Sequence, residues 1–169
     1  MFKLNFLKMR TESALKKSKN HRASIPYEQA QRVGIIFSVE DKQKHEDIKE
    51  FAKLLEQDGK KVEILEYLPV NKENYEFRFD FFTIKDLSFW GQINSEHFNK
   101  FCDTPFDYLY YVDMESNPLV LHLLAKSKAH CRIGKFKEDD SPFFELMIEQ
   151  NGSNKGLIET MYKYTKQLR

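Results

Sequence analysis

The chain has 169 residues, 41% of them hydrophobic, with 15 Phe and 8 Tyr, enough to bury a core without disulfide or metal staples. Its 27 Lys/Arg and 26 Asp/Glu leave a formal charge of +1, which excludes a wholly basic nucleic-acid coat or an acidic solvating tail. No apolar run approaches the ~18–20 residues that a membrane helix needs, and the start lacks the continuous apolar segment of a secretory leader, so a cytoplasmic protein without a membrane span is expected.

The near-zero total hides an asymmetry. Residues 1–32 carry eight Lys/Arg against Glu12 and Glu28, whereas the remainder carries nineteen basic and twenty-four acidic residues. A +6 arm is thus joined to a body of about −5. Neither fold nor solubility requires such an arm, whereas attraction to a polyanion does. Residues 5–20 read as a short basic amphipathic helix with a thin stripe of Phe6, Met9 and Leu15, and 20–31 as a linker lying on the body. Lys3, Lys8, Arg10, Lys16, Lys17, Lys19 and Arg22 are the candidate contacts to RNA or another polyanion, with the ribosome as one setting. The arm itself interleaves few aromatic residues, so binding directed at the nucleic-acid backbone is expected. Few of its apolar side chains look buriable, so residues 1–31 read as dispensable for folding. The plainer reading of the same residues is a tail docked on its own acidic body.

The body, 32–169, opens with a short apolar run at 33–37, a helical pattern over 41–57 stopped by Gly59, and a strand at 62–67. Strand–helix–strand with short links predicts parallel pairing. A third strand is expected at 77–84, and a short helix at 95–102. The second unit is a strand at 108–112, a helix over 119–128 capped by Asn117 with Pro118 at its first position, and a strand at 130–134. A sixth strand at 143–149 and a closing helix over 157–168 complete the chain. This alternation predicts an α/β, doubly wound, mostly parallel Rossmann-like sheet of order 3-2-1-4-5, with the sixth strand at an edge.

In such sheets ligands sit beyond the carboxyl ends of the strands, at the point where strand order reverses. The loops expected there, 38–41 and 113–118, present Glu40, Asp41, Asp113, Glu115 and Ser116 and contain no glycine. Carboxylates would repel a pyrophosphate, so no dinucleotide is expected to bind, and no cofactor is predicted. The acids could instead hold Mg²⁺ or act as an acid/base pair; the plainer reading makes them helix caps. Gly152, Ser153, Asn154, Lys155 and Gly156 form a second candidate, a loop able to cradle an anion or simply to cap the last helix. The five histidines show no metal-ligand spacing, and Cys102 and Cys131 form no thiolate pair, so no metal site is predicted. Arg132, Lys135 and Lys137 read as an extension of a basic patch, and Trp90, beside Phe89 and Gly91, as a partner or stacking residue or, on the plainer reading, one closing the edge of the core.

Phe106-Asp107-Tyr108-Leu109, followed by a helix and by the run from Ala125 to Phe136, resembles an uncharacterised domain-of-unknown-function family from Bacteroidota. The resemblance extends over nearly the whole chain, including the basic start and the 32–37 strand. It implies a small stand-alone cytoplasmic protein and no particular activity. More weakly, the same stretch is similar to the N-terminal Rossmann-like half of heptosyltransferase-type GT-B glycosyltransferases, although the chain lacks both a second domain and a glycine-rich first loop. Two functions are therefore expected in competition. One is a non-catalytic binding protein, its arm on RNA or the ribosome and its body on a protein partner. The other is a binder of a phosphosugar or nucleotide, or a reduced glycosyltransferase-like enzyme. No oligomeric state is implied.

Overall fold

The computed structural model describes residues 2–75 and 78–169. Six parallel strands form one sheet of order β3-β2-β1-β4-β5-β6: β1 (Arg32–Ser38), β2 (Lys61–Tyr67), β3 (Asp80–Phe82), β4 (Tyr108–Tyr111), β5 (Cys131–Lys135) and β6 (Leu146–Ile148). The doubly wound order expected from the sequence is the one observed, with β1 between β2 and β4, so the reversal point lies there.

Two helix layers cover the sheet because its central strands are apolar on both faces. Val33, Ile35 and Phe37 of β1 and Tyr108 and Tyr110 of β4 point toward α2 (Lys42–Gln57) and α5 (Asn154–Thr165), meeting Ile48, Phe51, Leu55, Leu157 and Met161. On the opposite face Ile36, Leu109 and Tyr111 meet α3 (Glu96–Asp103) and α4 (Pro118–Lys126) through Phe98, Phe101, Leu119 and Leu123. The glycines of β1 and β5 each answer a particular neighbour: a Cβ on Gly34 would lie 2.8 Å from the Phe106 ring, and one on Gly134 would lie 2.3 Å from that of Phe144. Helix starts follow the expected chemistry. Asp41 accepts from the Lys44 amide, Asn117 from those of Leu119 and Val120, and Ser153 from that of Gly156.

Three elements differ from expectation. The 77–84 strand shrinks to β3; Phe77 lies outside the described residues. The 143–149 strand shrinks to β6, because Glu138–Phe143 is a 3-10 segment containing Pro142, which has no N–H for a ladder. The basic start forms α1 (Phe2–Lys17), as long as predicted but shifted three residues toward the N-terminus, and packed on α4.

The expectation that residues 1–31 bury little is corrected. Leu7, Thr11, Tyr27 and Ala30 are all buried. Arg22 turns inward, donating to the carbonyls of Leu124, Ser127 and Ala129 at the end of α4. Helix-end carbonyls lack intrahelical donors and carry partial negative charge, so a guanidinium satisfies both needs. Burial and the nearby Arg132 lower the Arg22 pKa to about 10.

Candidate functional site

The strand-end crevice does form, but its groups are already engaged. The Lys44 ammonium, with only 1% of its side chain exposed, donates to Asp113 at 2.6 Å, to the Ser38 carbonyl at 2.9 Å and to Glu40 at 3.1 Å. Asp113, 4% exposed, also accepts from the Ser38 amide and hydroxyl at 2.8 and 2.6 Å. Asp41 is occupied as the cap of α2. Glu115 is exposed, and the half-buried Ser116 accepts from Lys137 at 3.5 Å. The space left between Tyr111, Asp113, Ser116 and Lys137 is about 10 Å³, roughly what one water needs. Loops 38–41 and 113–118 therefore do meet, as a buried ion pair with its surrounding hydrogen bonds. They bring Glu40 and Asp113 together on the ammonium of Lys44, a lysine that the sequence had not singled out, while Asp41 caps its amide and Ser116 meets Lys137 instead.

Beside this pair lies a second buried one. His45 Nε2 and Glu66 Oε2 are 2.8 Å apart and neither side chain has any exposure. Phe37, Tyr75 and Phe79 surround the imidazole with ring centroids at 5.3, 5.0 and 5.8 Å. Burial pushes the Glu66 carboxyl up to about 8 and pulls the His45 imidazole down from its usual value. His45 Nδ1 lies 3.3 Å from the Asp41 carbonyl, the geometry of an N–H donating there, so Nε2 accepts a hydrogen bond from the protonated Glu66 carboxyl. Composition hid this pair, but pattern carries it: Glu66 interrupts a buried strand, and His45 shares the helical stripe of Ile48 and Ala52.

The protonation has a measurable consequence. Between pH 6.5 and 8 the folded pair holds one proton, while the unfolded chain holds none at these two positions, so stability falls as pH rises. Below pH 6.5 the unfolded histidine also binds a proton and the slope from the two groups cancels. Glu66→Gln can keep the hydrogen bond without titrating. Denaturant unfolding from pH 6 to 8.5 is expected to show wild-type stability declining relative to the variant by up to about 1.4 kcal/mol per pH unit until about pH 8, where folded Glu66 loses its proton; His45 is common to both proteins and cancels in the comparison. Parallel profiles would show that the pair holds no proton.

The 151–156 loop reaches the same edge of the sheet. Asn154 donates to Glu40 at 3.2 Å, linking it to loop 38–41. The amides that could cradle an anion are partly spent: Gly156 donates to Ser153 Oγ and Gly152 to Gln150 Oε1, while Lys155 is exposed.

On α1 the outcome is different. Lys8, Arg10, Lys16 and Lys17, with Lys19 just beyond, are exposed, and Lys3 is half-buried. Arg22 is turned inward onto three carbonyls of the body, and Arg10, though exposed, donates to one. Among the described residues Lys8, Lys16, Lys17 and Lys19 make no ion pair. Arg132 is likewise removed from any basic patch: it is buried and clamps Glu145 from Nε and Nη2 at 2.9 and 2.7 Å.

Aromatic residues join the cations here. Trp90 does not close the core; it is 62% exposed. The turn bearing it presses on α1 at Gly91, whose φ of 77° and whose approach, with a Cβ falling 2.5 Å from the Leu7 amide nitrogen, both require glycine. Arg10 Nε donates to the Trp90 carbonyl at 2.8 Å. Trp90 meets Phe6 at 5.3 Å and Phe89 at 5.0 Å, and Phe2 and Met9 lie exposed on the same helix. The poor aromatic interleaving of the arm in sequence is therefore remedied in three dimensions by residues about eighty positions away.

Among the described residues, no helix is long and apolar enough to cross a membrane. The chain matches the family model described as Family of unknown function (DUF6913) over residues 3–168, nearly its whole length, and belongs to that family. No curated protein and no solved structure matches it.

Proposed function

We propose that this member of a family of unknown function is a non-catalytic, cytoplasmic binding protein. Its α1 face engages RNA, free or on the ribosome, and its α/β body docks to a protein partner. The observation that carries the reading is the state of Lys8, Lys16, Lys17 and Lys19: exposed, on a docked and ordered segment, and without carboxylate partners among the described residues. An arm serving only to neutralise its own body would pair these cations with body acids. Here α1 docks through Leu7 and Thr11 instead, leaving its charge outward. The crevice acids, by contrast, are held by Lys44 and by a helix cap, which weighs against a phosphosugar or nucleotide seat there.

Charge reversal at Lys8, Lys16, Lys17 and Lys19 tests it. The quadruple Lys→Glu variant is expected to melt within a few degrees of wild type, since all four side chains are exposed. It should elute from heparin at much lower salt and no longer sediment with ribosomes. For single-stranded RNA, the slope of log affinity against log salt should fall by roughly 0.7 for each phosphate that the variant no longer neutralises. Equal retention of variant and wild type would overturn the assignment of α1.

A further inference from the structure

Between α1, α4 and the segment at Gln92 and Ile93 lies a cleft of about 220 Å³. Arg10 and Lys17 from α1 and Lys126 from α4 line it, with Ser13 and Gln92 as uncharged hydrogen-bonding groups. No carboxylate lines the cleft, and none of these three cations forms an ion pair among the described residues. The buried His122 ring also lines it and is held from behind. Thr11 donates its hydroxyl proton to the Leu7 carbonyl and so accepts from His122 Nδ1, both at 2.8 Å. Burial, Lys126 and Arg10 push the His122 pKa down to about 4, so the imidazole is neutral at pH 7 and the cleft's charge comes from the three cations.

The cleft does not end at Arg10. Arg10 and Ser13 also line a shallower hollow of about 410 Å³ beside it, whose other walls are Phe6, Met9 and Trp90. The indole is exposed, yet its backbone is fixed by the Arg10 hydrogen bond and by the glycine that lets the turn touch α1. An exposed aromatic on a held backbone leads, through the shared Arg10 and Ser13, into a cationic cleft.

We propose that this track is a binding site for single-stranded RNA, in which one base stacks on Trp90 and an adjoining phosphate sits among Arg10, Lys17 and Lys126. The assignment rests on the RNA reading above and gives it a stacking platform. Bases stack on exposed aromatics whatever their identity, while cations follow the backbone, so such a track prefers single strands to duplexes and discriminates little among sequences. A basic and aromatic face could also lie on an anionic bilayer. Recession of the charges into a cleft beside Ser13 and Gln92 suits a phosphate that enters and accepts hydrogen bonds, rather than a flat headgroup layer.

Trp90 is the only tryptophan in the chain, so its fluorescence reports the site directly. The full chain is titrated with a single-stranded oligouridylate, with duplex RNA and with vesicles containing phosphatidylserine. Saturable quenching by the oligouridylate is expected. Trp90→Ala should weaken binding about 5- to 100-fold, Trp90→Phe only a few-fold, and Lys126→Gln several-fold with a shallower salt slope. Trp90 and Lys126 are both exposed, so all three variants are expected to fold, which their melting curves check. If RNA binds the wild type but Trp90→Ala binds equally well, without quenching in the wild type, the track is wrong and the cationic α1 reading survives. Absence of RNA binding to the wild type overturns both. Duplex binding as tight as single-strand binding refutes the stacking, and quenching by vesicles but not RNA assigns the face to a membrane surface.

Discussion

Removing residues 1–31 is expected to abolish cooperative folding. These residues supply Leu7, Tyr27 and Ala30 to the core, and each large apolar side chain buried is worth about 1.5–3 kcal/mol. Several polar groups of the body also find their partners there. Tyr108 donates its hydroxyl to the Ile25 carbonyl, Lys60 donates to the Tyr27 carbonyl, and the Tyr27 amide donates to Leu168. Lys60 and Tyr108 are buried, so truncation strips their partners at about 1–3 kcal/mol each while also opening those sites to water. Loss of Arg22 leaves three carbonyls around the end of α4 without that donor. Together these losses approach the whole stability of a domain, about 5–15 kcal/mol. The truncated chain should show no sigmoidal melt by circular dichroism and a collapsed amide spectrum, while deletion of residues 2–17 alone should lower Tm without removing the transition. A 32–169 fragment that melts cooperatively within a few degrees of the full chain would show that the N-terminal packing contributes little. The practical consequence concerns function: removing residues 1–31 cannot test α1 for RNA binding, because loss of binding would accompany loss of the fold, whereas charge reversal on α1 leaves its docked face intact.

What the sequence made legible were the elements that declare themselves locally. The β1–α2–β2 and β4–α4–β5 units rest on short apolar runs, a helical stripe and capping residues a few positions apart. Asp41, Asn117 and Ser153 cap the helices at the positions expected of them. Parallel pairing and strand order then follow from connection rules. The unreadable features depend on partners remote in sequence. α1 has a thin apolar stripe, so the helix looks marginal until Gly91 admits the 88–91 turn against it. Arg22 and Arg132 look like surface cations in sequence, and only the meeting of their segments with α4 reveals why both turn inward. Trp90 fails in the opposite direction: large aromatics are usually buried, and the rule says nothing about one held at a surface turn by Arg10. For the crevice, acids at strand ends were visible but the cation among them was not. Lys44 sits one turn into a helix whose other lysines face solvent, and nothing local marks it as the buried one.

That lysine carries the second large effect. Lys44→Met is expected to cost about 3–5 kcal/mol and to lower Tm by roughly 6–20 °C, because it leaves the Asp113 carboxylate buried without a counter-charge. Ser38 still donates two hydrogen bonds to Asp113, which places the loss toward the lower end. Adding Asp113→Asn to Lys44→Met should recover a substantial part of it. The amide removes the stranded charge while its oxygen can still accept from the Ser38 backbone, so the two substitutions are non-additive, as expected for groups that touch. Chemical denaturation of both single variants and the double variant measures the coupling; single variants that each cost under about 1 kcal/mol would show that the pair is not structural. The same proteins decide between the crevice and the α1 face. If the crevice is a closed structural joint, folded Lys44→Met/Asp113→Asn should bind RNA with wild-type affinity and salt slope, the changes being confined to melting temperature. Loss of RNA binding in a folded double variant, with the α1 lysines intact, would move the function from the helix face to the strand ends.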